Sequence, residues 1–221
     1  MLWINFKIYS ETFGEKVFAL AEACYSVAKA SGIDIIPVVS AIDLRAVKQK
    51  FSGPVWVQSA DPFLSGAHTG WISPQALVEA GADGILLNHS EHRLPPGIVN
   101  KTLSLVNKNK LKLETMVCFK SQGQARGWIK KTKSDFVAYE PPELIGGDVS
   151  VSQAKPELIK KIAMILPKHK LVVGAGVKNG DDVSKALKLG AVGVLVSSGV
   201  VKAKDPKKIL TELANAFKND H

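Results

Sequence analysis

Leu171-Val172-Val173-Gly174-Ala175-Gly176 is a short apolar run that ends in a glycine turn. After it, Asp181 to Leu189 has apolar residues at helical spacing and ends at Gly190. Val192 to Val196 then opens a second apolar run, closed by Ser197-Ser198-Gly199. A strand, a polar turn, a helix and another strand make the unit that links parallel neighbours in one sheet. Working outward, the same alternation runs through the rest of the chain. Apolar strands are expected over Leu2–Phe6, Ile33–Val39, Pro54–Gln58, Gly84–Leu87, Leu113–Cys118 and Phe136–Tyr139. Helical stretches are expected over Val17–Ser31, Asp43–Lys50, from Ser73-Pro74 onward, Gly97–Asn107, Gln122–Lys130 and Lys155–Leu166, with a last one capped by Asp205-Pro206 and running to about Phe217. Eight such units imply a closed (β/α)8 barrel, an α/β single domain over residues 1–221. A chain this short must trim its outer helices, above all after strands two, five and six. The rival, a doubly wound open sheet, lacks a Gly-x-Gly-x-x-Gly after the first strand.

With 221 residues and a 46% hydrophobic share, the chain can bury a sizeable core. No apolar run approaches the ~20 residues of a membrane span, and the run within Met1–Lys7 is too short for a signal peptide. Cys24 and Cys118 lie in a helix and a strand, a pattern of neither disulfide framework nor zinc site, so a reducing, cytoplasmic setting is expected. The net charge of +9 comes almost wholly from lysines dispersed along helix faces. Such a field draws small anions. The densest patch, Asn107 to Lys112, reads as a solvated turn, and neither a nucleic-acid nor a membrane partner is expected.

In a parallel barrel the strand C-termini face one mouth and carry the chemistry. Here they bring Asn5 and Lys7, Gln58, His89 and Glu91, Cys118, Glu140, Gly174–Gly176 and Ser197–Gly199. Taken singly these have plain readings: Lys7 as a surface lysine, His89 as a structural histidine, Glu140 as an ion-pair partner, Cys118 as core. Together they place a cation, an imidazole and a carboxylate opposite two backbone-rich turns of the kind that hold phosphate. Glu140 ends an apolar strand, where an idle carboxylate is costly. The prolines 141 and 142 and the glycines 146 and 147 that follow are stiff at one end and free at the other, as in a loop that closes as one piece. No ligand cluster suggests a metal or an organic cofactor, and none is expected.

The chain resembles the triosephosphate isomerase family in its short, archaeal form. The motifs that carry the resemblance are Asn5-Phe6-Lys7, Gly66–Ser73, Asn88-His89-Ser90-Glu91-His92-Arg93, Tyr139-Glu140-Pro141, Ile145-Gly146-Gly147, Gly174-Ala175-Gly176 and Ser197-Ser198-Gly199, in order from strand one to strand eight. The resemblance implies a TIM barrel that interconverts glyceraldehyde 3-phosphate and dihydroxyacetone phosphate through an enediolate, in glycolysis and gluconeogenesis. It makes Glu140 the base and His89 the electrophile. Lys7 and Asn5 become donors to the substrate oxygens, and Glu91 the partner that holds Lys7. Main-chain groups of Ile145 or Gly146, Gly176, Ser197 and Ser198 would bind the phosphate. The loop around Thr69 would reach into a neighbouring subunit's site, giving a homodimer or homotetramer.

Several positions depart from the commoner bacterial and eukaryotic pattern. Asn88 and Ala175 stand where glycine is usual, Ser197-Ser198 replace paired glycines, and Pro142-Glu143-Leu144 replace the usual start of the lid. Two other readings stay open from sequence: another phosphate-gripping barrel enzyme, and a basic protein that binds nucleic acid on its lysine surface.

Overall fold

The structure, a computed structural model, describes residues 1–144, 150–166 and 170–218. Its strands are β1 (Leu2–Asn5), β2 (Ile35–Val39), β3 (Trp56–Val57), β4 (Gly84–Leu87), β5 (Glu114–Phe119), β6 (Phe136–Tyr139), β7 (Lys170–Gly174) and β8 (Gly193–Val196). All pair in parallel in chain order, and β1 meets β8 through Leu2↔Val194 and Ile4↔Val196, so the sheet closes as the expected (β/α)8 barrel. Around it run α1 (Lys16–Ser31), α2 (Leu44–Lys50), α3 (Pro74–Glu79), α4 (Pro96–Lys108), α5 (Gln122–Arg126), α6 (Val151–Ala154), α7 (Pro156–Ile165), α8 (Gly180–Lys188), α9 (Ser198–Val201) and α10 (Pro206–Asn215).

Local chemistry sets these boundaries. The Ser73 hydroxyl accepts from Ala76 N–H at 3.3 Å, with Pro74 at the first helical position of α3. The Asp205 carboxylate does the same for α10 through Lys208 N–H. Strand three is shorter than its apolar run. Pro54 has no N–H to offer a ladder, and the Asp83 carboxylate takes that of Val55 at 2.8 Å. The helix expected over Gln122–Lys130 stops at Gly127, leaving α5 and a 3-10 turn over Ile129–Lys131. The one expected from Lys155 is preceded by α6 and starts at Pro156, because a residue before proline is pushed out of helical space (Lys155 φ −138°, ψ 47°). Strands two, three and five are each followed by a short α-helix, whereas strand six is followed by two, the four-residue α6 and then α7. The short α9 was not anticipated, since Ser197-Ser198-Gly199 reads as a turn.

Two apolar compartments hold the barrel. The larger lies between the sheet and the helices. The smaller fills the barrel and includes Trp3, Ile36, Trp56, Leu86, Met116 and Phe136. Trp3 meets Phe136 edge-on at 4.8 Å and Trp56 at 5.7 Å. Both indoles fit because glycines face them: a Cβ on Gly84 would stand 2.2 Å from the Trp56 ring, and one on Gly193 2.9 Å from Trp3. This aromatic plug is the floor on which the mouth residues rest.

Candidate active site

Side chains alternate in and out along a strand, so counting by two from the plug leads to the mouth. Trp3 gives Asn5 on β1, Phe136 and Ala138 give Glu140 just past β6, and Val172 gives Gly174 on β7. Asn5, His89 and Glu140 are buried at 3%, 7% and 4% exposure, unusual for polar groups and so requiring specific contacts.

Two positions leave the alternation, and both have left-handed backbones. Lys7 has φ 51° and Asn88 φ 61°. Such a conformation costs a non-glycine residue of order 1–3 kcal/mol, and it persists only where its surroundings over-determine it. For Lys7, the Asn5 side-chain oxygen accepts its N–H at 3.1 Å and Gln58 donates to its carbonyl at 3.0 Å. Asn88 donates to the Cys118 carbonyl, while its side-chain oxygen accepts from Leu94 N–H, both at 2.8 Å. Its own carbonyl takes the Arg93 guanidinium at 2.8 Å. Asparagine tolerates this region better than most residues, and here its amide also ties loop four to strand five. That explains why it can stand in glycine's place ahead of His89.

The charges then fall into a chain. Lys7 Nζ donates to Glu91 Oε1 at 2.7 Å, and Glu91 N–H donates to His89 Nδ1 at 3.3 Å. With Nδ1 accepting, the proton of a neutral imidazole sits on Nε2, which points at Glu140. Nε2 lies 3.6 Å from Glu140 Oε1, too long for a direct hydrogen bond. Burial works to raise the Glu140 pKa. The His89 imidazole, the Cys118 thiol and the Lys7 charge outweigh it and hold the carboxyl below its ordinary value. The rise expected from burial alone is thus reversed here, and the carboxyl is kept ionised. The Cys118 thiol is core, as expected, and pushed well up by burial and by Glu140.

Gly174 is what lets Glu140 occupy this place. A Cβ there would lie 2.6 Å from Glu140 Cγ and 2.7 Å from Oε1. Beyond it, Ala175 (φ 73°) and Gly176 (φ 71°) turn the chain left-handed twice in succession. Among the described residues, no hydrogen bond occupies the main-chain N–H of Gly176, Val177, Ser198 or Gly199.

Asn5, Lys7, His89, Glu140, Gly176, Ser197 and Ser198 all line one cleft. Glu91 faces a neighbouring cleft beside Ile8, Ile42 and Gln58. Two atoms at the mouth, Glu140 Oε2 and Ser197 Oγ, are buried and have no partner among the described residues. Ile145 and Gly146, expected to bind phosphate, lie outside the described residues. Pro142–Leu144 form a 3-10 turn in which Glu143 pairs with Lys155 and Leu144 packs on the core, a role the sequence did not suggest. Gln58 and Gly174 stood among the strand-end residues, but their tasks come from contacts across the barrel that no local pattern records. Among the described residues no group of three His, Cys, Asp or Glu side chains could hold a metal ion.

A closed parallel barrel with ionisable side chains and unengaged main-chain amides at its C-terminal mouth defines the class: a (β/α)8 protein with its working face at the strand ends. The family model described as triosephosphate isomerase matches residues 1–216. Proteins named triosephosphate isomerase from Caldivirga maquilingensis and Methanobrevibacter smithii are 42% and 39% identical; the first match covers 97% of this chain and 96% of that protein, the second 96% of each. The namesake from Saccharolobus solfataricus is 38% identical over 95% of this chain and 92% of its own. The chain belongs to the triosephosphate isomerase family.

Proposed function

We propose that the cleft isomerises D-glyceraldehyde 3-phosphate and dihydroxyacetone phosphate by moving a proton between adjacent carbons. The observation that carries this reading is the placing of Glu140 and His89 Nε2, 3.6 Å apart, on one cleft with Lys7. Glu140 takes the proton beside the carbonyl, and negative charge builds on oxygen. His89 Nε2–H, the Lys7 ammonium and Asn5 already point where that charge appears, so little reorganisation is needed. Glu140 then returns the proton to the neighbouring carbon, and the two products differ only in which carbon holds the carbonyl. Glu91 keeps Lys7 on station through their 2.7 Å contact. The phosphate lies against the amides of Gly176 and loop eight, with Ile145 or Gly146 as further donors by family resemblance. Phosphate binding far from the reacting carbons supplies energy for orienting them.

In a coupled assay, Glu140→Gln should lose about 10³-fold or more in kcat while still binding 2-phosphoglycolate. Unchanged turnover would refute the assignment. The reaction fits glycolysis and gluconeogenesis in the cytoplasm, and among the described residues no helix is long and apolar enough to cross a membrane. The side chains of Ile8, Phe13, Ile42 and Trp71 are exposed, Ile8 and Ile42 lining the cleft beside the mouth. They favour a homo-oligomer in which the loop around Thr69 of a second copy enters that cleft. A monomer in sedimentation at micromolar concentration would overturn this.

A further inference from the structure

Asp182 is 2% exposed and takes no part in the chemistry above. A buried carboxylate needs several donors to be tolerated, and its three donors come from two places. Ser150 Oγ and Gln153 Nε2 both donate to Oδ1 at 2.6 Å, from the segment that opens α6. Lys178 N–H donates to Oδ2 at 3.0 Å, from the turn after β7. Asn179, the cap of α8, fixes the backbone through Asp182 N–H at 3.0 Å, and Ser152 Oγ donates to the Asp182 carbonyl at 3.1 Å. Beside this knot, Val151 N–H donates to the Ala175 carbonyl at 3.2 Å. The turn 175–178 is thus gripped at both ends by groups behind it. It needs that grip, because Ala175 and Gly176 are both left-handed and Ala175 carries a Cβ that disfavours the conformation.

We infer that Asp182 is a positioning residue for the loop-seven anion site: by tying Lys178 N–H to α6, it holds the main-chain N–H groups of Gly176 and Val177 aimed into the cleft. This rests on the reading of that cleft as the phosphate site. The bond to Asp182 also takes Lys178 N–H out of the donor set, leaving the two preceding amides for the anion. In Asp182→Asn one oxygen becomes an NH2 that faces donors on either side, so at least one tie breaks while the shape is kept.

The test compares inorganic phosphate and 2-phosphoglycolate binding, and the KM-against-kcat split, in wild type, Asp182→Asn and Gln153→Ala. Gln153 is exposed, so its variant folds even if the buried substitution does not. Asp182→Asn should weaken both anions and raise KM about tenfold, leaving turnover of unphosphorylated D-glyceraldehyde near wild type. Gln153→Ala should move the same readouts a few-fold. Unchanged anion affinity in the folded variants, or an equal loss on phosphorylated and unphosphorylated substrates, would overturn the positioning role alone. If wild type itself binds neither anion, the phosphate reading and this inference fall together.

Discussion

The mouth has two halves built on different principles. On the side of β1, β4 and β6 the candidate working groups are side chains: Asn5, Lys7 and His89, held by named hydrogen bonds, and the buried Glu140. On the side of β7 and β8 the candidates are main-chain amides, and Ala175, Gly176, Ser197, Ser198 and Gly199 there carry small side chains or none. On the proposed reading the difference follows from the tasks. Moving a proton needs groups with particular acidities, which only side chains supply. Holding a dianion needs several donors at fixed angles, which a turn supplies without adding charge or bulk. The halves meet at Gly174, where the missing side chain of one makes room for the Glu140 carboxyl of the other.

That junction gives the largest effect expected away from the reacting groups themselves. Gly174→Ala forces the Glu140 carboxylate aside, since a Cβ would overlap its Cγ at 2.6 Å. Misplacing a reacting group by about 1 Å costs roughly 10²-fold, so steady-state assays should show kcat falling by that order with KM little changed. A loss confined to KM would mean that Gly174 serves the anion half instead.

Next is the anchor of His89. Asn88→Ala keeps the left-handed demand and removes two side-chain hydrogen bonds, so urea unfolding should show a loss of about 2–4 kcal/mol. Asn88→Gly should restore the part due to backbone strain but not the hydrogen bonds. Equal stability of the two variants would show that the amide contacts carry the whole effect.

Smaller still is a difference in titration. The Glu140 carboxyl is held below its reference value of 4.5, so carbon NMR of the unliganded protein should place its midpoint beneath that. The sign follows: a lowered folded pKa contributes stability above the unfolded carboxylate's titration, and that contribution fades as pH falls through the folded value. A midpoint above 4.5 would mean that burial prevails over His89, Cys118 and Lys7.

The two halves also differed in how far they could be read in advance. Asn5, Lys7, His89 and Glu140 were legible because their residue types are conspicuous at the ends of apolar strands, and the structure gathers them in one cleft. The barrel was legible for the same reason, through eight short runs that stop at polar or glycine residues. What stayed hidden depends on the third dimension. Gly174 reads as any closing glycine in the sequence, and only the fold lays the Glu140 side chain against it. Asp182 is one residue of the expected Asp181–Leu189 helix, and only the fold brings Ser150, Gln153 and Lys178 to it from elsewhere. Asn88 and Ala175 looked like departures from a glycine pattern, yet both keep the left-handed backbone that pattern serves.

The central claim is that Glu140 carries a proton between two carbons of a phosphorylated triose. It is tested most directly by isomerising D-glyceraldehyde 3-phosphate in D2O and following product deuterium by NMR, in wild type and Glu140→Gln. Because the protonated Glu140 carboxyl exchanges with solvent before it returns its proton, wild type should give dihydroxyacetone phosphate of which a part bears one solvent deuterium at the newly protonated carbon. A variant that still binds 2-phosphoglycolate should give almost none. Equal labelling by both proteins, or product formed with no solvent deuterium at all, would contradict it.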